Sequence, residues 1–172
     1  MVTTSRAHGR GGLRIRLAVP GQGAEVAACM RRCWQEYFLP TTPWCLEWFD
    51  AHRSGLGEEL DSRMAEGHHV WLGVDAQAGG EVVGFAWAGV NLDGPTPLEL
   101  ESLYLRSRCH GSGLGQALLT TAIGDSPAFL MVIAGNERAK AFYARNGFAA
   151  DGVVEDHTDE HPGYLLERWV RP

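Results

Sequence analysis

The sequence has 172 residues, 45% of them hydrophobic and 21% charged, with a net charge of -6 at pH 7. That length fits about one domain with an ordinary core, and the acidic balance argues against a surface built to hold nucleic acid. No stretch approaches the roughly 20 apolar residues of a membrane span and residues 1–12 lack the apolar stretch of a secretion signal, so Cys29, Cys33, Cys45 and Cys109 are expected as free thiols in a reducing cytoplasm.

Residues 1–12 are polar and carry several glycines, and are expected to form a disordered tail ahead of a folded domain at 13–172. In Leu13–Val19, Leu13, Ile15 and Leu17 alternate with Arg14 and Arg16, the pattern of a half-buried strand ended by Pro20-Gly21. Val26, Met30, Cys33, Trp34 and Tyr37 recur at helical spacing and predict a helix over Ala24–Phe38, closed by Pro40. Thr42-Pro43 reads as a cap followed by a first-turn proline. From there to about Met64 the chain is expected to be mostly helical, interrupted near Gly55 and Gly57.

Val70–Asp75 and Val82–Val90 flank Ala78-Gly79-Gly80, a hairpin signal. Leu98–Leu105 is a further strand, and its apolar phase shifts from Leu98 and Leu100 to Leu103 and Leu105, as a β-bulge would shift it. A glycine-rich turn leads into a helix with Leu114, Ala117, Leu118, Thr121 and Ala122 on one face. Ala128–Ile133 is apolar throughout, as in a central buried strand. Asn136–Asn146 has the starting Asn and following Gly147 of a helix, and Phe148–Val154 and Tyr164–Val170 are expected as final strands joined by an acidic loop. The order predicts an α/β fold: one domain with a mixed, mostly antiparallel sheet of about seven strands and about four flanking helices.

The turn reads His110-Gly111-Ser112-Gly113-Leu114-Gly115-Gln116 between a strand and a helix. Glycines let such a loop aim successive N–H groups at one point, and the helix start adds partial positive charge, which suits a pyrophosphate. A nucleotide P-loop would need Lys-Ser/Thr after its last glycine, where this chain has Gln116-Ala117. The dinucleotide fingerprint needs Gly-x-Gly-x-x-Gly in a first strand–turn–helix unit, and this turn comes late with a different spacing. Taken alone, the turn is also compatible with a plain connection.

With a second motif the turn resembles the GCN5-related N-acetyltransferase (GNAT) family. The family's Arg/Gln-x-x-Gly-x-Gly/Ala is filled by His110 to Gly115, with His110 in place of the usual Arg or Gln. Its Asn-x-x-Ala-x-x-Phe-Tyr is matched by Asn136, Ala139, Phe142 and Tyr143, followed by Gly147-Phe148. The resemblance covers about residues 13 to 170, and Trp34 to Pro40 also looks like members of the family. It implies a sheet splayed at strands 4 and 5, acetyl-CoA as co-substrate with no metal, and direct transfer of the acetyl group to a primary amine in a ternary complex. A small-molecule or peptide amine is the expected partner, nucleic acid and membranes are not, and homodimers are common in the family. A CoA-binding sensor module on the same fold, or a different acyl-CoA donor, remains an alternative.

The resemblance also implies roles. Leu103, Tyr104 and Leu105 would offer a backbone edge to the pantetheine arm, and an N–H there would serve the oxyanion. His110, Gly111, Ser112, Gly113, Leu114, Gly115 and Gln116 would hold the pyrophosphate, with the His110 contact weaker or pH-dependent. Asn136, with Ala139 and Phe142 of the same motif, would meet the pantetheine arm, although Asn136 is equally suited to capping its helix. Tyr143 would protonate the departing sulfur, or else be a core aromatic. A free alkylamine is almost wholly protonated at pH 7, so a base is needed. Glu101 is the candidate and Glu99 the second, since a carboxylate on a mostly buried strand is uncommon; otherwise bound water serves.

Other features are expected to be structural. His157-Thr158-Asp159-Glu160-His161 matches His-x-x-Glu-His, but its residues are poor helix formers and Pro162-Gly163 follows. Cys29 and Cys33, four apart on a helix, fit core packing better than a metal site. Trp34, Tyr37, Trp44 and Trp48 would pack the core or line an acceptor pocket. The acidic cluster Asp151, Glu155, Asp156, Asp159 and Glu160 would be a solvated loop or attract a cationic amine.

Overall fold

The computed structural model describes residues 12–40, 42–158 and 164–172. The expected N-terminal tail and Asp159 to His161 of the acidic loop lie outside the described residues, apart from Gly12. The elements are β1 (Leu13–Leu17), α1 (Gly23–Phe38), α2 (Cys45–His52), α3 (Leu56–Ala65), β2 (Val70–Asp75), β3 (Glu81–Val90), β4 (Leu98–Leu105), α4 (Leu114–Ile123), β5 (Ala128–Ile133), α5 (Glu137–Arg145), β6 (Ala149–Asp156) and β7 (Leu165–Arg171). Among the described residues the sheet has seven strands in the order β1-β2-β3-β4-β5-β7-β6; β4–β5 is parallel, whereas β1–β2, β2–β3, β5–β7 and β6–β7 are antiparallel. The mixed sheet expected from the sequence is therefore present.

The chain forms two compact units, one comprising the chain up to Trp87 with Ser102–Ala122, the other Ala88–Glu101 with Ile123–Pro172. In the first, β1, β2 and β3 are successive antiparallel neighbours. The β2–β3 connection turns because Gly79 and Gly80 take φ of 67° and 85°, while the Asp75 carboxylate accepts from the Gln77 and Ala78 amides at 3.0 and 3.3 Å. Ile15, Val83, Ala86, Cys109, Leu114 and Leu118 form one buried cluster, with Leu103 and Leu105 packed against it.

Helix α1 buries Val26, Met30, Cys33 and Trp34 of the predicted stripe together with Cys29 and Phe38, whereas Tyr37 of that stripe is exposed. Its first turn approaches α3 so closely that a Cβ on Gly23 would collide with the Gly57 carbonyl. The Asp61 carboxylate accepts from the Gly21 and Gly23 amides there, both at 2.8 Å.

The expected helical stretch from Thr42 to Met64 is two α-helices, so the described residues form five α-helices rather than about four. Ser54-Gly55 breaks the run after His52, where glycine favours coil over helix. Thr42-Pro43 does not supply a side-chain cap: α2 begins at Cys45, whose amide instead reaches the Thr42 carbonyl at 3.0 Å.

In the second unit, β7 lies between β5 and β6, with Phe129 opposite Val170 and Ala149 also opposite Val170. The β6–β7 register shifts between Ala150 and Val154, around Gly152 at φ 91°. The recorded β4–β5 rung is Glu99 opposite Phe129, and the Phe129 ring occupies the space a Cβ on Gly94 would need. Arg171 closes the loop before β5: its Nη2 donates to the Gly124 and Ser126 carbonyls at 2.8 and 2.7 Å, and its guanidinium lies 4.9 Å from the Phe148 ring centre. Among the described residues no helix is long and apolar enough to cross a membrane.

Candidate active site

The glycine turn is shaped by its own residues. Gly111 and Gly113 have φ of 75° and 88°, a region that side chains with a Cβ seldom occupy. The Ser112 hydroxyl donates to the Cys109 carbonyl at 2.6 Å and accepts from the Leu114 amide at 3.3 Å, so this side chain is committed to closing the turn. The Ala117 amide reaches the Gly113 carbonyl at 3.0 Å, the first bond of α4. The first-turn amides that follow Gly113 have no carbonyl of their own helix to meet. A Cβ on Gly111 or Gly113 would meet nothing within 4 Å, so the space before the turn is open. An open backbone with positive φ at the head of a helix is a place that an anionic group can approach.

His110 is exposed, and its Nε2 lies 3.1 Å from the Leu105 carbonyl. The turn is thereby tied back to the end of β4, and Leu103, Leu105 and Leu114 share one hydrophobic cluster. Tyr104 points to the opposite face, as strand alternation requires. Its hydroxyl accepts from the Trp34 indole at 3.2 Å and its ring stacks on Phe85 at 5.6 Å. A Cβ on Gly84 would come within 2.8 Å of the Tyr104 carbonyl, so β3 can lie this close only with glycine there. The three positions expected to offer a backbone edge thus have side chains fixed from both faces.

The remaining candidates belong to the second unit. Asn136 begins α5 and its side-chain oxygen accepts from the Ala139 amide at 3.1 Å, the capping arrangement. Tyr143 is buried at 8% exposure, its ring 5.4 Å from Phe142 and 5.8 Å from Phe148. Glu101 corrects one premise of the sequence reading. Leu100 beside it is 3% exposed, but the Glu101 side chain is exposed, so burial is not what distinguishes it. A Cβ on Gly89 would collide with the Glu101 carboxylate, which therefore lies over a bare stretch of β3. Glu99 accepts from the Asn91 side-chain amide at 2.8 Å.

Trp34 is 2% exposed and stacks on Trp48 at 5.4 Å, and Trp48 stacks on His52 at 4.5 Å. Trp34 is thus a core residue, while Tyr37 is 43% exposed. Cys29 and Cys33 are buried and free, as expected. Cys33 is hydrogen-bonded to Cys29, and that bond, with burial, pushes the Cys33 thiol well up. Among the described residues no group of three or more His, Cys, Asp or Glu could hold a metal ion.

A network of charges beside the turn was not foreseen. Arg106 meets Glu36 at 2.6 Å and Glu81 at 3.3 Å, and Arg108 meets Glu81 at 2.9 Å and Asp75 at 2.8 Å. The Ser107 amide donates to the second Glu36 oxygen at 2.6 Å. Burial works to raise the Glu36 pKa, but the Ser107 amide and Arg106 outweigh it and hold the carboxyl below its usual value. The network secures both residues flanking Ser107 just ahead of the glycine turn. Its partners are 25 to 71 positions apart in sequence, so no local spacing announces it.

The family profile described as "Acetyltransferase (GNAT) family" matches residues 25–148. A probable N-acetyltransferase of Mycobacterium tuberculosis is 25% identical over 171 residues, covering 93% of this chain and 97% of that protein. The crystal structure of PaiA N-acetyltransferase from Thermoplasma acidophilum in complex with coenzyme A superposes with a TM-score of 0.69 at 17% identity, covering 91% of this chain and 97% of that one. The solution structure of apo-form YjaB from Escherichia coli gives a TM-score of 0.63 at 22% identity, covering 92% and 96%.

Proposed function

The chain belongs to the GNAT acetyltransferase family, and on that premise we propose that it acetylates a primary amine by direct transfer from acetyl-CoA in a ternary complex. The observation that carries this reading is the glycine turn, with Gly111 and Gly113 at positive φ and α4 starting behind it. The M. tuberculosis relative named as a probable N-acetyltransferase supports an amine acceptor, and the PaiA complex supports a CoA thioester.

Gly111, Ser112, Gly113, Leu114, Gly115 and Gln116 hold the pyrophosphate through main-chain amides, with His110 beside them. The backbone of Leu103, Tyr104 and Leu105 orients the pantetheine arm, and one N–H of that edge receives the oxyanion. When bound, the thioester supplies an acetyl group activated towards amines. Glu101, directly or through water, takes the proton that the ammonium form of the acceptor must lose. Tyr143 gives its phenolic proton to the sulfur as the C–S bond breaks. Asn136 and the α5 residues Ala139 and Phe142 border the pantetheine arm.

Thermal shift with acetyl-CoA, against NAD as control, tests the donor site, and release of free CoA across a panel of primary amines tests the reaction. Stabilisation by acetyl-CoA alone and turnover with at least one amine are expected. Absence of both would remove the reading.

A further inference from the structure

Beside the last turns of α1 lies a groove of about 480 Å³ lined by Arg32, Gln35, Glu36, Leu39, Pro40 and Arg106, all within the first compact unit. The charges bordering it are unequally engaged. Arg106 is held by Glu36 and Glu81, and both oxygens of Glu36 are taken, one by Arg106 and one by the Ser107 amide. Arg31, next along α1, is held by Asp50 through two contacts of 2.6 Å. The Arg32 side chain has no such partner among the described residues: its Nε is fully enclosed without a hydrogen bond. An enclosed guanidinium donor that has lost water and gained nothing is a standing cost, relieved when an acceptor arrives.

We propose that this groove binds a small organic carboxylate with a short apolar body, and that Arg32 receives its charge. A guanidinium presents its donors in a planar fork that matches a carboxylate. Leu39 and Pro40, both exposed at the lip, offer apolar surface to the body of the ligand, and Gln35 offers an amide. Glu36 lies in the same groove, but its charge is already met by Arg106 and the Ser107 amide, so it opposes an incoming carboxylate less than a bare one would. The carboxylate can belong to a free small molecule or to the acceptor amine itself.

The test is a titration of the full chain, without acetyl-CoA, by isovalerate and by the neutral isovaleramide, followed by NMR at the Arg32 Nε–H. Isovalerate is expected to shift that signal and isovaleramide to leave it in place. Arg32→Gln should weaken isovalerate binding about tenfold or more, and Arg32→Lys, which keeps charge without the fork, should fall between. Added salt should weaken binding. Equal responses to the two probes, or binding unchanged in Arg32→Gln, overturns the proposal, as does no response to isovalerate at tens of millimolar. This titration requires no turnover, so its failure leaves the acetyltransferase reading intact. Where binding is present, a KM raised by Arg32→Gln only for amines bearing a carboxylate assigns the ligand to the acceptor. An unchanged KM assigns it to a separate molecule.

Discussion

The indole N–H of Trp34 donates to the hydroxyl of Tyr104 over 3.2 Å, joining the buried face of α1 to β4 at the strand whose backbone is expected to meet the pantetheine arm. Tyr104→Phe removes this acceptor while keeping the ring on Phe85. Urea unfolding should show a loss of about 1 kcal/mol. Because the cofactor contact is assigned to main chain, the KM for acetyl-CoA should stay within about twofold; a large KM rise without loss of stability would instead assign the ligand contact to the hydroxyl.

Gly113 sits at φ 88° with open space where a Cβ would stand. Gly113→Ala therefore meets no clash, only the backbone conformation that alanine resists, at a cost of about 1 kcal/mol or more. Relief of that strain would bend the turn away from the cradle shape. Calorimetric titration should show acetyl-CoA binding weakened about tenfold, with the fold retained by circular dichroism. Unaltered affinity would place the pyrophosphate elsewhere.

Tyr143→Phe keeps the ring between Phe142 and Phe148 and removes the proton donor. A fall in kcat of about 10²-fold is expected, with the KM for acetyl-CoA little changed. Steady-state kinetics decide it: full kcat in the variant returns Tyr143 to a packing role.

Asp75 is held below its usual pKa of 3.8, first by its hydrogen bond from Arg108 and then, against desolvation, by the Gln77 and Ala78 amides. A carboxylate depressed in the folded state contributes stability above its unfolded value and loses it as pH falls through the folded one. Asp75→Asn should therefore be less stable than the parent at pH 7, and the gap should close below about pH 4. Urea midpoints measured from pH 7 to pH 3 check this. Parallel curves would show that the charge of Asp75 contributes nothing to folding.

Much of the fold is visible in the sequence because its signals are local. The stripe from Val26 to Phe38 gives α1, the Gly79-Gly80 pair gives the β2–β3 turn, and Asn136 with Gly147 brackets α5 within a residue at each end. Gly55 marks the break between α2 and α3 in the sequence, but propensity does not say whether a helix resumes on the same axis, so the run reads there as one stretch. The glycine turn was legible for the same reason, its backbone demands being written in residue type. The exposure of Glu101 is not legible, because alternation in β4 does not reveal which face is covered. The Arg106–Glu36 pair and the orphaned Arg32 could not be read at all. Each depends on which charges meet across the fold, and Arg32 looks no different in sequence from its neighbour Arg31, which Asp50 satisfies.

Asn136 spends its side-chain oxygen on the Ala139 amide. The NH2 end of that group can still lend hydrogens, while one of the two lone pairs of its oxygen is engaged in the cap. A carbonyl or another acceptor passing the start of α5 would meet those hydrogens first. Aspartate would start α5 equally well, and would turn the same visitor away.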